Sequence, residues 1–163
     1  MRACYPGSFD PLTIAHLAIA EAVRIQCDVE VVTLVLSERT LGKEPGQRSA
    51  QDRAESLRDV RGGRVWLEVA TTPSQLLVDI AAGYDWVVLG ADKWNQICEP
   101  RWYGSEQERN EAIDRLPRIA IVERHGHSVE NLPPNAVHLI LADPALKHVS
   151  SSGVKSGAEH WRA

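Results

Sequence analysis

Two clusters of residues, one near each end of this 163-residue chain, have the types and spacing of a phosphate site. The first is Tyr5-Pro6-Gly7-Ser8-Phe9-Asp10-Pro11-Leu12-Thr13-Ile14-Ala15-His16. An apolar start, Met1 to Tyr5, reads as a strand before it, and His16 to Val23 reads as a helix after it. A glycine-bearing turn from strand to helix gathers backbone N–H groups and the positive end of a helix dipole at one spot, which suits an anion. Thr13 and His16 are three residues apart and share one face of the first helical turn, so a hydroxyl and an imidazole could reach the same phosphate. The second cluster is Val149-Ser150-Ser151-Ser152-Gly153-Val154-Lys155. Serines at a helix start offer hydroxyls and N–H groups, and a lysine one turn on adds charge. Alone, such serines read as a helix cap. Following the last strand and paired with the first cluster, they read as a second phosphate cradle.

The elements that must position these residues are strands and helices in alternation. Val29 to Leu36 is a continuous apolar run rich in β-branched residues. Trp86 to Leu89, Arg118 to Val122 and Val137 to Leu141 are similar. Such runs suit parallel strands covered on both faces. Arg64 to Ala70 alternates more and is expected nearer an edge. Ser49 with Asp52, and Ser105 with Glu108, have the spacing of helix N-caps, for helices over 49–60 and 105–116. Thr72-Pro73 is expected to open a third helix through Ile80, closed by Gly83. This order predicts an α/β fold: one doubly wound parallel sheet in a single domain over residues 1–163. Ligands of such sheets bind at the carboxyl ends of the strands. The irregular stretches Ser37 to Arg48 and Glu99 to Gly104 are therefore candidate site walls.

Composition narrows the partners. Charged residues are 25% and the net charge is −4, so no global attraction to nucleic acid or to an anionic membrane is implied. No apolar run approaches the roughly 20 residues that span a bilayer. Pro6, Gly7 and Asp10 interrupt any secretory hydrophobic region. Cys4, Cys27 and Cys98 are odd in number and widely spaced, which predicts free thiols in a reducing cytoplasm. His125-Gly126-His127 lacks a third nearby ligand and reads as a polar turn rather than a metal site. A homo-oligomer stays open.

The first cluster resembles the GxFDPxxxGH signature of the nucleotidyltransferase superfamily carrying the H/T-x-G-H motif. Gly7, Phe9, Asp10, Pro11, Thr13 and His16 stand in register, while Ala15 replaces the usual glycine. The second cluster is similar to the family's Ser-Ser-Thr/Ser-x-hydrophobic-Arg/Lys signature. Gly90-Ala91-Asp92, closing the strand Trp86 to Leu89, resembles the GxD element of nicotinate and nicotinamide mononucleotide adenylyltransferases. Lys43 and Arg53 resemble the lysine and arginine that follow the second strand in those enzymes. Trp94 and Trp102 fall where the pyridine-nucleotide members place a stacking aromatic. An Arg-Ile-Ala-Ile-Val-Glu-Arg strand, residues 118–124, completes the order of motifs.

The resemblance implies a Rossmann-like nucleotidyltransferase that moves an adenylyl group from ATP, with Mg²⁺, to a phosphate-bearing acceptor. It implies His16, Thr13 and Lys43 as catalytic residues. It implies Gly7, Ser8, Phe9, His16, Ser150, Ser151, Ser152 and Lys155 as the nucleotide site. Gly90, Asp92, Trp102 and Arg53 would bind the acceptor, with Asp92 on ribose hydroxyls. No resident metal site is implied. Nicotinate or nicotinamide mononucleotide is the favoured acceptor. Thr13, the short chain and the Ser-Ser-Ser-x-Val-Lys run also resemble phosphopantetheine adenylyltransferase, and another acceptor, cytidylyl transfer, or a silent nucleotide-binding protein stays open.

Overall fold

A computed structural model describes residues 1–38, 48–129 and 132–163. Six parallel strands form one sheet: β1 (Arg2–Pro6), β2 (Val31–Ser37), β3 (Leu67–Thr72), β4 (Trp86–Gly90), β5 (Arg118–Val122) and β6 (Ala136–Leu139). Their spatial order is β3-β2-β1-β4-β5-β6. The helices are α1 (Ile14–Gln26), α2 (Ala50–Arg61), α3 (Leu77–Ile80), α4 (Ala91–Ile97), α5 (Glu106–Asp114) and α6 (Ser151–Lys155).

Side-chain alternation explains the apolar runs. Along β4, Trp86 and Val88 join one buried cluster with Ile19, Val23, Leu34 and Leu57. Val87 and Leu89 join the other, with Trp94, Ile97, Leu116 and Ile119. Both faces of the inner strands are thus covered, and no position needs to be polar. α1 and α2 cover the first face and α4 the second. Trp94, a candidate stacking residue from its position in sequence, is instead a core residue at 4% exposure.

The arrangement bears out some expectations and corrects others. β3 lies at an edge, as its alternation implied. β6 lies at the other edge, with Val137 and His138 exposed, so the run Val137 to Leu141 is not covered on both faces. Ser49 and Ser105 cap α2 and α5, accepting from the N–H groups of Asp52 (3.0 Å) and Glu108 (3.2 Å). Thr72 opens no helix. Its Oγ1 accepts from Ser74 N–H at 3.2 Å, a local hydroxyl turn that competes with helix initiation, and α3 begins only at Leu77. α4, which starts directly at the end of β4, was not read from the sequence.

The winding direction reverses between β1 and β4, which lie side by side. The carboxyl ends of these two strands are Pro6 and Gly90. A crevice at such a switch point is where a doubly wound sheet binds its ligand.

Candidate active site

The turn after β1 is built around a backbone exception. Phe9 has φ +45°, left-handed space that a bulky residue rarely enters. That conformation folds its ring back over Gly7, where a Cβ would lie 2.7 Å from the ring's Cζ. Phe9 is itself buried at 3% exposure and meets Tyr5 and His16 edge-on, at centroid distances of 5.3 and 5.1 Å. Its side chain is therefore packing, and only its backbone can face a ligand. Gly7 N–H donates to Val35 O at 3.1 Å. The Ser8 carbonyl accepts from Arg53 Nη1 at 2.6 Å.

Arg53, which the resemblance points at the acceptor, is thus tied to the turn itself. At 6% exposure it lies under the turn and also donates from Nε to Arg48 O at 3.3 Å. It braces the turn after β1 from beneath. Lys43 lies outside the described residues.

Thr13 caps α1 and has no exposed surface. Its Oγ1 accepts from His16 N–H at 3.4 Å and lies 2.9 Å from His16 Nδ1. Its own N–H donates to Nδ1 at 3.0 Å. The hydroxyl expected to face phosphate is thus spent on the cap, where it positions His16. The bond into Nδ1 leaves Nε2 as the protonated nitrogen of a neutral imidazole, a donor. Burial, and then the positive charge of Arg124, lower the His16 pKa to about 3. Ala15 has no exposed surface either, so its methyl does not stand in the open cleft.

The two ends of the chain meet here. Ser151 Oγ donates to the Pro11 carbonyl at 2.7 Å, across 140 residues. Lys155 Nζ pairs with Asp10 Oδ2 at 3.1 Å. Ser150 caps α6, accepting from Gly153 N–H at 3.0 Å, and Ser152 is exposed. The tail closes the joint: Ala163 N–H donates to Leu12 O at 3.1 Å, and Arg162 bridges to Thr13.

At the end of β4, Gly90 is the N-cap of α4 and Asp92 is exposed in its first turn, so Asp92 is not the cap itself. A Cβ on Gly90 would lie 2.5 Å from Asp92 Oδ1 and 3.2 Å from Arg124 Cγ. Arg124 is the residue that sequence reasoning placed only as the end of a strand. Trp102, in a short 3₁₀ turn, is 50% exposed, with the Arg101 guanidinium 4.8 Å from its ring centre.

Beyond β5 the chain makes a tight turn. Arg124 N–H donates to His127 O (3.3 Å), His127 N–H donates to Arg124 O (2.9 Å), and Gly126 takes φ +77°. This is the polar turn expected for His125-Gly126-His127. A cavity of about 380 Å³ lies between it and the segment entering α6, lined by Arg124, His125, Ser128 and His148 among others. The His125 and His148 rings stand 4.2 Å apart. Lys147 beside them is paired with Glu123.

The cytidylyltransferase-like family pattern matches residues 4–157, from β1 through α6. The chain belongs to the cytidylyltransferase-like family. This cytidylyltransferase-like chain is 27% identical over 167 residues to a probable nicotinate-nucleotide adenylyltransferase of Bordetella avium, covering 96% of itself and 81% of that relative. The Plasmodium falciparum nicotinic acid mononucleotide adenylyltransferase complexed with NaAD shares its fold, with a TM-score of 0.71 at 14% identity over 95% of this chain and 82% of that one. The same enzyme complexed with APC gives 0.67 at 15% identity, with the same coverage.

Proposed function

We propose that this chain is an adenylyltransferase that moves the AMP moiety of ATP onto nicotinate mononucleotide and releases pyrophosphate. The observation that carries the chemistry is the joint between the two phosphate motifs: Ser151 on Pro11 and Lys155 on Asp10, beside His16. The acceptor rests on the Bordetella relative, matched over nearly the whole chain. One domain over residues 1–163 houses both substrates.

In this reading an oxygen of the acceptor phosphate attacks the α-phosphorus of ATP. The new P–O bond forms as the bond to the β,γ-pyrophosphate breaks, and pyrophosphate leaves. The acceptor phosphate is ionised at neutral pH, so no general base is needed. The demand is alignment and charge stabilisation. His16 donates from Nε2 to the charge developing on the transferred group. Backbone N–H groups of the turn beyond Gly7, from Ser8 onward, and the start of α6 with the exposed Ser152 hydroxyl cradle the triphosphate, with Ser150 and Ser151 holding that start in place. Lys155 exchanges Asp10 for the β,γ-phosphates. Lys43 neutralises acceptor oxygens. Asp92 accepts from the acceptor ribose across Gly90, and Trp102 offers its exposed face to the pyridine ring. The cavity beside His125 and His148 has room for the nucleoside, with two rings to stack the base. Arg53 acts from below, on the turn. Magnesium travels with its substrate as MgATP.

Three thiols that form no disulfide among Cys4, Cys27 and Cys98 support a cytoplasmic setting. Among the described residues no helix is long and apolar enough to cross a membrane. Incubation with MgATP and a panel of acceptors, followed by pyrophosphate release, tests the function. Release with nicotinate mononucleotide is expected. Release with phosphopantetheine alone, or with no acceptor in the panel, overturns this assignment.

A further inference from the structure

The segment after α6 turns back across it. Ala158 N–H donates to the Gly153 carbonyl at 3.0 Å, and Glu159–Trp161 form a short 3₁₀ turn. That turn lays the half-buried indole of Trp161 on Gly153, where a Cβ would lie 2.8 Å from the ring's Cε3. Gly153 N–H is the group bonded to Ser150 Oγ. The next two residues leave α6 for the other motif. Arg162 forms an antiparallel bridge with Thr13, Ala163 N–H donates to Leu12 O at 3.1 Å, and Ala163 packs against the buried cluster that holds Leu12. The positive charge of Arg162, paired with Glu159, also bears on Asp10. Consecutive residues, Trp161 to Ala163, therefore touch the start of α6 at one end and the start of α1 at the other. α6 is five residues long, too short to hold its first turn by helix formation alone. Its start depends on contacts from outside. Ser151 on Pro11 supplies one, and the indole on Gly153 supplies another. The same contact accounts for the residue type at 153. Gly153 is helical, so its backbone does not call for glycine, whereas the indole above it does.

We infer that Trp161 is a positioning residue for the nucleotide: acting through Gly153, it holds Ser150–Ser152 against the turn after β1 before the triphosphate arrives. The inference rests on the adenylyl-transfer reading, in which that start cradles the triphosphate. A start already in place spares the nucleotide the cost of ordering it. If loss of the indole leaves the start competent about a tenth of the time, the apparent affinity for MgATP falls about tenfold. Bound nucleotide then restores the order, so turnover at saturation is largely kept.

The test compares wild type with Trp161→Ala, Trp161→Phe, Gly153→Ala and the double variant Gly153→Ala/Trp161→Ala, each below its thermal midpoint. Trp161→Ala should raise KM for MgATP about tenfold, with kcat and the KM for nicotinate mononucleotide within about threefold of wild type. A role in general stability alone would not single out one substrate in this way. Trp161→Phe keeps a ring over Gly153 and should recover most of the loss. Gly153→Ala should raise the same KM by pushing the indole away, and adding Trp161→Ala to it should cost nothing further. A folded Trp161→Ala with wild-type KM for MgATP, a loss carried by kcat alone, an equal rise in both KM values, or increases that multiply in the double variant each overturn the inference and leave the function standing. Should Trp161→Ala fail to fold, Trp161→Leu is read by the same KM criteria. If wild-type protein releases no pyrophosphate with any acceptor, the function falls. The MgATP dissociation constant from equilibrium dialysis then decides Trp161: about tenfold weaker binding in Trp161→Ala supports the inference, and equal constants or no binding overturn it.

Discussion

The hydroxyl of Ser151 donates to the carbonyl of Pro11 at 2.7 Å, and so fastens the start of α6 to the turn that leaves β1. A half-buried bond of this kind is worth about 1 kcal/mol. Ser151→Ala should lower unfolding stability by about that much in urea titration, and raise KM for ATP more than it lowers kcat. A variant with wild-type stability and wild-type KM would detach this joint from both roles.

His16 presents Nε2–H because Nδ1 is occupied by Thr13. His16→Ala should cost on the order of 10²–10³ in kcat with the fold intact by circular dichroism. Thr13→Val keeps the backbone bond into Nδ1 but loses the hydroxyl cap. It should cost about 1 kcal/mol of stability and a smaller share of kcat than His16→Ala. A larger kinetic loss in Thr13→Val would mean that the hydroxyl touches the ligand after all.

The neutral imidazole also sets a pH dependence. In the unfolded chain a histidine takes up its proton near pH 6.5, whereas folded His16 does so only near 3. As pH falls below about 6.5 the unfolded state binds more protons than the native state, and native stability declines until about pH 3. One such group gives a slope of up to about 1.4 kcal/mol per pH unit. Guanidinium denaturation of wild type and His16→Asn at pH 7.5, 6 and 4.5 checks this. The stability of wild type relative to the variant should shrink towards acid, and a constant difference counts against a depressed pKa.

Gly7 and Phe9 are interlocked. A methyl at Gly7 would meet the Phe9 ring at 2.7 Å, so Gly7→Ala must displace an aromatic that also packs on Tyr5 and His16. Overpacking of this kind costs about 1–3 kcal/mol. Gly7→Ala should be less stable by that amount, and Phe9→Leu in the same chain should recover part of it. Two additive losses would show that the ring is not the obstacle.

Much of the local structure around the candidate site was legible from residue types. Gly7, Thr13 and the serines announced a strand-to-helix turn and a capped helix start because caps and glycines act locally, within three or four residues. The alternation of Arg64 to Ala70 placed β3 at an edge for the same reason. What was not legible depended on partners distant in sequence. Resemblance pointed Arg53 at the acceptor, and the contact of its guanidinium with the Ser8 carbonyl, across 45 residues, left no local trace. Arg124 is unremarkable until Gly90 is seen beneath it. Thr72-Pro73 carried a helix signal, and one hydroxyl bond to Ser74 diverted it. The run Val137 to Leu141 signalled a covered strand, but apolar composition cannot tell an inner strand from the last one in the sheet.

The tail supplies a built-in optical reporter. The indole of Trp161 packs so closely on Gly153 that a Cβ there would collide with it, and Gly153 N–H is the group that Ser150 caps. Any nucleotide that reorganises the start of α6 must change the surroundings of that indole. Occupancy can therefore be followed by intrinsic emission without a label, with Trp161→Phe isolating the signal from the other tryptophans.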